Sequence, residues 1–312
     1  MSRRAPVAAV LPAWRSRPWI REALGSVFAQ VLPPAEIVVV DDGSDDGLEE
    51  EIEDLLDRIL FLRQENRGPG AARNLAVAMT SSPFLAFLDA DDLWEPERLA
   101  VQVPLLEADP ARVLVCSDAW EFGEGRELRR WSRSGGRRSP PALDLEGLLR
   151  GNGIATLTVL CRREAFERAG GFDEDRGLLA VEDYDLWLRM SELGGFLYVD
   201  RPLARYRRRP SSLSGARRFR EGVRLVLEKF RRRSERAVEL RHLLARREAL
   251  LWLDEAREIQ DAGQFRASLK PIRRAWSLAP GAPETWRTFF RGLMLGISGL
   301  RPGARARDSG SA

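Results

Sequence analysis

Residues 84–92, Phe-Leu-Ala-Phe-Leu-Asp-Ala-Asp-Asp, join an apolar run of strand length to three carboxylates at its carboxyl end. Charges at the end of a buried strand are costly unless they pair with another group or bind a metal. In open α/β sheets, ligands bind beyond the carboxyl ends of strands. Asp89 and Asp91 flank one residue, so in an extended chain their side chains point the same way. Two carboxylates aimed at one point suit a hard divalent cation, which in turn suits a diphosphate. The alternative is a polar turn before a helix, since Asp92 precedes Leu93-Trp94-Glu95-Pro96.

The segments around this stretch alternate between strand-like and helix-like patterns. Apolar, β-capable runs lie at 5–11, 36–40, 59–63, 83–88, 113–117 and 156–161. Apolar residues with helical spacing lie at 17–30, 48–56, 71–79, 96–107, 163–169 and 183–193. Two further short strands are expected at 196–199 and 204–206. This alternation predicts an α/β fold with a mainly parallel sheet covered by helices on both faces.

The pattern changes to helices alone from Arg217 to about Leu300. We therefore predict a sheet domain over residues 1–214, a helical carboxyl-terminal region over 215–300 and a disordered tail over 301–312. The tail is rich in Gly, Arg and Ser and lacks the apolar residues that a core requires.

Composition excludes several classes of protein. The net charge is only +3 and the arginines are spread among acids, so no nucleic-acid-binding stripe is indicated. No apolar run approaches the roughly 20 residues of a membrane span, and no signal peptide is evident, so we expect a cytoplasmic protein. Cys116 and Cys161 lie in apolar runs and are expected to be buried free thiols. The single His242 argues against a histidine-based catalytic triad.

The stretch from Arg217 to Arg247 is basic and amphipathic. Such a segment could lie on an anionic membrane surface. The alternative, which we favour, is an ordinary solvated helix face.

Three further polar motifs have a functional and a structural interpretation. Asp41-Asp42-Gly43-Ser44 ends a strand, where a carboxylate could accept from a base or a ribose, although an Asx turn explains the same residues. Gly68-Pro69-Gly70-Ala71-Ala72-Arg73-Asn74 opens a helix whose first N–H groups could face an anion. Glu182-Asp183-Tyr184-Asp185 also opens a helix, where acids complement the helix dipole, but three acids within four residues exceed what capping requires. One of them could act as a general base.

Together these motifs resemble family 2 glycosyltransferases, which have the GT-A fold, over about Val7 to Ser214. Six elements appear in the order of that family: Val-Leu-Pro-Ala-Trp at 10–14, Val-Asp-Asp-Gly-Ser at 40–44, Gly-Pro-Gly-Ala-Ala-Arg-Asn at 68–74, Phe-Leu-Asp-Ala-Asp-Asp at 87–92, Gly-Gly-Phe-Asp at 170–173, and Glu-Asp-Tyr-Asp-Leu-Trp-Leu-Arg at 182–189. Each element is weak alone, and six in order make a specific signal.

The resemblance implies transfer of a sugar from a nucleoside diphosphate sugar, with inversion at C1 and a divalent metal, Mn²⁺ or Mg²⁺. The acceptor would be a saccharide or a lipid-linked molecule. The residues it implies are listed by role: Asp183 as the base, Asp91 with Asp89 at the metal, and Pro12, Asp42, Arg73, Asp89 and Arg209 around the donor nucleotide.

Two departures from the family pattern bear on mechanism. The late Tyr-Arg-x-His motif of the family reads Tyr206-Arg207-Arg208-Arg209 here, with arginine where the histidine is expected. Arginine does not ligate a cation but can neutralise phosphate charge, so metal dependence is expected to be weaker. The Gln-x-x-Arg-Trp motif of processive members does not follow the acidic helix start; Glu127-Leu-Arg-Arg-Trp131 precedes it, which favours a non-processive enzyme.

Two other classes remain as alternatives. A sugar-nucleotide nucleotidyltransferase would carry a glycine-rich basic loop after its first strand, where Pro12-Ala13-Trp14-Arg15 stands. A catalytically degenerate sugar-nucleotide-binding scaffold would not need to keep Asp42, Asp89, Asp91 and Asp183. Residues 123–141 form a Gly-, Pro- and Arg-rich segment, which we expect to be a mobile loop over the acceptor side of the site.

Overall fold

The structure is a computed structural model that describes residues 4–123, 129–132, 142–209 and 216–298. The chain divides into two compact units, residues 1–218 and 219–312. The predicted domain boundary near Ser214, most of the predicted loop at 123–141 and the predicted disordered tail at 301–312 lie outside the described residues.

A mixed sheet forms the first unit. Its strands are β1 (Ala5–Ala13), β2 (Pro34–Asp41), β3 (Leu60–Arg63), β4 (Phe84–Phe87), β5 (Leu93–Trp94), β6 (Arg112–Phe122), β7 (Arg129–Arg130), β8 (Leu160–Arg162) and β9 (Gly195–Arg207). They are ordered β3-β2-β1-β4-β8-β6-β9-β5, and β7 pairs with β6. Neighbours β3, β2, β1 and β4 are parallel, as are β6 and β9. The carboxyl ends of β1, β2 and β4 therefore meet at one edge of the sheet.

Helices cover this sheet: α1 (Arg17–Phe28), α2 (Leu48–Glu51), α3 (Pro69–Ala78), α4 (Arg98–Glu107), α5 (Leu145–Arg150), α6 (Arg163–Arg168) and α7 (Glu182–Ser191). The core between them is apolar, with Val7, Leu11, Ile20 and Leu24 fully buried. The predicted α/β class and mainly parallel sheet are confirmed. Cys116 and Cys161 are buried free thiols, as predicted.

Antiparallel β8 is the main departure from the predicted sheet. It lies between β4 and β6 and runs opposite to both. The strand predicted at 156–161 is instead a 3₁₀ turn at Thr156–Thr158 followed by β8. The Thr158 hydroxyl donates to the Ala155 carbonyl, a local bond that competes with strand pairing.

Two other element predictions were wrong in detail. The helix predicted over 48–56 ends at Glu51, where Arg21 donates to the Glu51 carbonyl, and 3₁₀ structure follows at Glu53–Arg58. The two strands predicted at 196–199 and 204–206 are one strand, β9, whose pairing with β6 is irregular around Pro202. Strand β5 was not predicted because it is only two residues long.

Four helices form the second unit and the passage into it: α8 (Ala216–Arg233), α9 (Arg241–Asp261), α10 (Phe265–Leu278) and α11 (Pro283–Ser298). Helices α9 and α10 enclose a small core of Ala249, Leu253, Ala256, Ile272 and Ala275. The predicted all-helical character of this region is confirmed. Across the described ranges, no helix is both long enough and apolar enough to cross a membrane.

Candidate active site

The two aspartates at the end of β2 have separate tasks. The Asp41 carboxylate accepts from the Ser44 N–H at 2.9 Å, so it closes the turn from its own side chain, three residues on rather than the two of the Asx turn considered above. The Asp42 carboxylate accepts from the backbone N–H groups of Arg67 and Gly68, each at 2.8 Å. It thus fixes the loop that leads into α3. Asp42 is almost fully buried, and its own N–H donates to the Ala13 carbonyl, next to buried Pro12 in β1.

Close packing explains the glycines at the start of α3. Gly68 has φ of +97°, in the left-handed region, and a Cβ there would approach the Leu179 side chain to 2.9 Å. A Cβ on Gly70 would lie 3.3 Å from the Phe172 Cβ. The Asn74 amide then holds the 172–174 segment by donating to the Phe172 carbonyl at 2.8 Å. The start of α3 is therefore pressed against the chain that leads to α7.

Arg73 joins two carboxylates from distant parts of the sequence. Its guanidinium donates to Asp89 at 2.5 Å and to Glu182 at 2.8 Å, and it lies 5.2 Å from the Phe172 ring. The arginine is buried, as is Glu182, whereas the Asp89 side chain keeps 34% exposure. Burial alone would lower the pKa of Arg73, but the charges of Asp89 and Glu182 outweigh it and raise that pKa. Arg73 is therefore a fixed cation linking α3, the acidic turn after β4 and α7.

The acidic turn is held by the end of β9. Arg207 donates its N–H to the Asp92 carboxylate and its Nε to the Asp91 carbonyl, both at 2.7 Å. The next-but-one residue, Arg209, forms an ion pair with Asp91 at 2.5 Å and lies 4.5 Å from the Trp19 ring. Burial and the charge of Asp89 raise the pKa of Asp91, although Arg209 opposes them. The arginine at the expected histidine position is thus in direct contact with the predicted metal ligand.

Asp89 and Asp91 form an open pair of carboxylates at the edge of the sheet. Over the described ranges, no group of three or more His, Cys, Asp and Glu side chains is arranged to hold a metal. Both carboxylates belong to one turn and both keep some exposure, at 34% and 16%. Two carboxylates alone are too few to enclose a hard cation such as Mg²⁺, which would take its other ligands from phosphate and water. The pair therefore fits an ion shared with a diphosphate, and not a closed protein cage.

The three acids at the start of α7 have different surroundings. Glu182 is paired with Arg73, and fully buried Asp185 is paired with Arg189 at 2.7 Å. Asp183 is half-buried, and within the described part of the chain no arginine or lysine lies within 4.0 Å of it. Of the three, Asp183 has the side chain best able to meet a ligand.

Hydrogen bonds orient the Asp183 carboxylate. Oδ2 accepts from the Thr156 hydroxyl at 2.9 Å and from the Asn152 amide at 3.3 Å, and Oδ1 accepts from the Tyr184 N–H at 2.6 Å. Burial and the neighbouring Glu182 charge raise the pKa of Asp183 to about 6, while Thr156 and Arg73 oppose the rise. Asp183 is therefore a positioned carboxylate with an elevated pKa.

An aromatic cluster supports the helix that carries Asp183. Phe87 of β4 contacts Phe172 edge-on, with ring centroids 5.4 Å apart, and Phe172 contacts Trp187 of α7 at 6.3 Å. These rings are fully or almost fully buried. They fix α7 against β4, so the acidic turn and Asp183 are held on one packed frame.

Sequence reasoning missed Asn152, Thr156 and the pairing role of Glu182. No local signal marked the first two, since Thr156 stands in what reads as a strand. Contacts across 27 and 31 positions are not visible in a single sequence. Of the predicted basic loop, the structure describes Gly123 and residues 129–132, where Asp118 accepts from Arg130 at 2.7 Å and from the Ser132 hydroxyl at 2.8 Å.

Comparison with known proteins gives a family and a fold. The model described as Glycosyl transferase family 2 matches residues 8–169. An uncharacterized glycosyltransferase of Rickettsia prowazekii is 27% identical over 201 residues, 62% of this chain and 61% of that protein. The succinoglycan biosynthesis protein ExoU of Rhizobium meliloti is 32% identical over 205 residues, 59% of this chain and 56% of that protein. The alignments thus span about three fifths of the length of these relatives.

Solved structures share the architecture at low identity. TarS 1–349 of S. aureus in complex with UDP-GlcNAc aligns with a TM-score of 0.66 at 18% identity, covering 94% of this chain and 92% of that one. The mannosyltransferase PcManGT of Pyrobaculum calidifontis, in complex with GDP-Man and Mn²⁺, aligns with a TM-score of 0.59 at 20% identity, covering 95% and 87%. These alignments confirm the predicted GT-A fold.

Proposed function

Because the chain belongs to glycosyltransferase family 2, we propose that it transfers a sugar from a nucleoside diphosphate sugar to an acceptor hydroxyl. The proposed enzyme is a non-processive, inverting hexosyltransferase with a uridine diphosphate donor. The observation that carries the proposal is the contact of Arg73 with both Asp89 and Glu182. It holds the acidic turn beside the helix start that carries the candidate base.

Asp183 is the proposed general base. It takes the proton of the acceptor hydroxyl while that oxygen attacks C1 on the face opposite the nucleotide. A carboxylate of ordinary pKa is a weak base for an alcohol. A pKa of about 6 makes Asp183 a stronger one that is still ionised at neutral pH. Thr156 and Asn152 leave the carboxylate in one orientation, which lowers the entropy lost on reaching the reactive geometry.

The leaving diphosphate gains charge in the transition state, and cations beside the acidic turn are proposed to stabilise it. A divalent ion bound by Asp91 and Asp89 would supply Lewis-acid stabilisation to the diphosphate when present. Arg209 can donate to phosphate oxygens and retains 30% exposure beside Asp91. We therefore expect activity to depend on the metal less steeply than with histidine at this position. The mannosyltransferase structure with Mn²⁺ supports the metal part of the proposal.

The donor nucleotide is proposed to bind at the carboxyl edge formed by β1, β2 and β4. Asp42 shapes this site by fixing the backbone of Arg67 and Gly68. Pro12 and Arg73 complete the proposed set, with Arg73 acting through Asp89. The likeness to TarS, whose structures with UDP and UDP-GlcNAc are known, supports a uridine donor.

The acceptor is proposed to be a saccharide, free or lipid-linked, in the biosynthesis of a polysaccharide, glycolipid or other glycoconjugate. The relatives that support it include the succinoglycan biosynthesis protein and a putative teichuronic acid biosynthesis glycosyltransferase of Bacillus subtilis.

The test is release of nucleotide from candidate nucleotide sugars in Mn²⁺, with and without a saccharide acceptor. Acceptor-dependent release supports transfer. Binding without any release would favour a degenerate scaffold, and formation of a sugar nucleotide from a sugar phosphate and a nucleoside triphosphate would favour a nucleotidyltransferase.

A thermal-shift measurement tests the donor site separately. UDP with Mn²⁺ should raise the melting temperature by mass action, and Asp42→Ala should remove most of that rise. Asp45→Ala is the matched control, because Asp45 follows the same turn but is 67% exposed and, among the described residues, pairs with exposed Arg15 alone. If UDP raised the melting temperature of Asp42→Ala as much as that of the wild type, Asp42 would only hold its loop in place and would not contribute to donor binding.

A further inference from the structure

Helix α11 exposes several large apolar residues and buries mainly small or polar ones, although Phe289 packs partly buried against the core of α9 and α10. Its exposed apolar residues, with exposures between 43% and 66%, are Trp286, Phe290, Leu293 and Met294. Its buried positions include Thr285, Thr288 and Gly292. A helix on a globular protein ordinarily turns its apolar stripe inward. The reversed pattern indicates that the outward face of α11 has a partner.

Polar contacts fix this orientation of α11. The Gln260 amide of α9 donates to the Thr288 carbonyl at 3.1 Å, and Arg291 pairs with Asp261 at 2.6 Å. A Cβ on Gly292 would lie 2.5 Å from the Gln260 side chain, so that position requires close approach of the two helices. The apolar residues on the opposite side therefore remain exposed within this unit.

The exposed residues continue onto α10 through aromatic contacts. Trp276 and Trp286 meet edge-on with ring centroids 4.3 Å apart, and Trp286 stacks on Phe290 at 6.0 Å. We call the surface made of Trp276, Trp286, Phe290, Leu293 and Met294 the aromatic ridge.

The two helices that form the aromatic ridge, α10 and α11, also carry a set of basic residues. Helix α10 contains no acidic residue, and Glu284, the acid of α11, is paired with Arg246. Among the described residues, none of the following four cations of α10 has a carboxylate within 4.0 Å: Arg266, Lys270, Arg273 and Arg274. Arg287 of α11 is also basic, and it interacts electrostatically with Glu284. Arg273 precedes Trp276 by one helical turn, and Arg287 precedes Phe290 by one turn. The net charge of the whole chain is only +3, so this surface is more basic than the rest.

We propose that the aromatic ridge docks on the surface of an anionic phospholipid bilayer. Exposed tryptophan and phenylalanine on a helix with flanking cations suit the interface between acyl chains and acidic headgroups. A second copy of the chain would bring two basic rims together, which opposes self-association. The segment 299–312 is a poor cover, because its sequence contains three arginines and Leu300 as its only large apolar residue.

The basic stretch at 217–247, considered above for membrane contact, is less suited to this role. Arg220, Arg224 and Arg231 of α8 pair with acids of α9 at 2.5–2.8 Å. The apolar residues of α8, Val223, Val226, Leu227 and Phe230, are fully buried. Three basic residues of α8 are thus engaged within the helical unit, and in the described part of α8 no large apolar residue is exposed for insertion into a membrane.

The test is flotation of the full chain with vesicles of phosphatidylcholine alone and with added phosphatidylglycerol. The wild type should float with the anionic vesicles only, and less at high salt. Phe290→Glu with Met294→Glu, and separately Arg273→Glu with Arg274→Glu, should each weaken binding by about tenfold or more. The matched controls, Val31→Glu with Val238→Glu and Arg168→Glu with Arg232→Glu, make the same changes of charge at exposed residues outside the ridge and should bind within about twofold of wild type.

Two results would overturn the proposal. One is equal binding to neutral and anionic vesicles, or none to either. The other is a concentration-dependent dimer, seen by light scattering, that Phe290→Glu disperses while vesicle binding is absent; the ridge would then be a self-association surface. Melting temperatures of all variants should stay within a few degrees of wild type, because the substituted side chains are exposed. Vesicle binding does not involve sugar transfer, so this outcome is independent of the proposed activity.

Discussion

At the scale of single residues, the three acids at the start of α7 have similar side chains but different partners, and the partners decide which of them could act as a base. Glu182 and Asp185 have arginine partners, and Asp183 has hydrogen-bond donors instead. The arginine partners of Glu182 and Asp185 engage carboxylate oxygens that an acceptor hydroxyl would need. This difference assigns the proposed base to Asp183.

Replacing Asp183 with asparagine should lower kcat by about 10²–10⁴ while donor binding stays nearly intact, because the amide cannot accept the acceptor's proton. The loss should be equal in kcat and kcat/KM, as expected for an interaction made in the transition state. Steady-state kinetics and a UDP thermal shift measure the two effects. Asp185→Asn is the comparison: it breaks the pair with Arg189, so it should lower stability more than turnover. Normal turnover in Asp183→Asn would refute the base assignment.

The pH dependence of the proposed base follows from its raised pKa. Asp183 must be ionised to act, so kcat/KM should fall as pH decreases through about 6. The Thr156 hydroxyl lowers this pKa by donating to the ionised carboxylate. Thr156→Val should therefore move the acidic limb of the pH profile to higher pH, whereas Thr156→Ser, which keeps the hydroxyl, should leave it unchanged. An unmoved limb in the valine variant would indicate that another group governs the profile.

At the scale of elements, the fold was more predictable than the contacts at its edge. Strands such as β2 and β4 are continuous apolar runs that end in aspartates, so periodicity and composition locate both the strand and its functional end. The antiparallel direction of β8 was not predictable, because the composition of Leu160-Cys161-Arg162 carries no information on which way the strand runs. The pairing of Arg73 with Glu182 joins residues 109 positions apart. The local sequence pattern marks Arg73 and Glu182 each as part of a polar motif, but it does not show that the two side chains are in contact.

The contact between elements α3 and α7 through Arg73 yields a prediction about stability. Arg73→Met removes the partner of buried Glu182 and should cost about 3–5 kcal/mol of unfolding free energy. Denaturant unfolding measures the loss. Arg15→Met is the matched control, since its pair with Asp45 is exposed at 56% and 67%, and exposed ion pairs add little to stability. If the two substitutions lowered the free energy of unfolding equally, the buried pair of Arg73 and Glu182 would contribute little to the stability of the domain.

At the scale of the whole molecule, the proposed donor and catalytic residues all belong to one unit. Residues 1–218 contain the nine-stranded sheet, its apolar core and every residue assigned above to nucleotide, metal or base. Residues 219–312 contain their own helical core and the aromatic ridge. Sequence could separate these regions, because the alternation of strand and helix stops where the second begins.

This division predicts that residues 1–214 fold when expressed alone, because a large buried apolar cluster, from Ala5 to Ala204, lies entirely within them. The truncated chain should unfold cooperatively and keep the rise in melting temperature given by UDP and Mn²⁺. Calorimetry with and without nucleotide, next to the full chain, measures both properties. A truncated chain that folds but has lost the nucleotide response would show that the helical unit contributes to donor binding.

The two cysteines give the protein a built-in reporter. Cys116 and Cys161 lie in adjacent strands β6 and β8, at 1% and 0% exposure, and burial raises the pKa of each thiol. Disulfide reagents attack thiolates that solvent can reach, so in native buffer these thiols should react only when the sheet opens. The rate of their modification therefore records how often the sheet opens. Because the two native thiols do not react in the folded protein, a cysteine introduced at Val31, which is 70% exposed, would be the single site for a fluorescent or spin label.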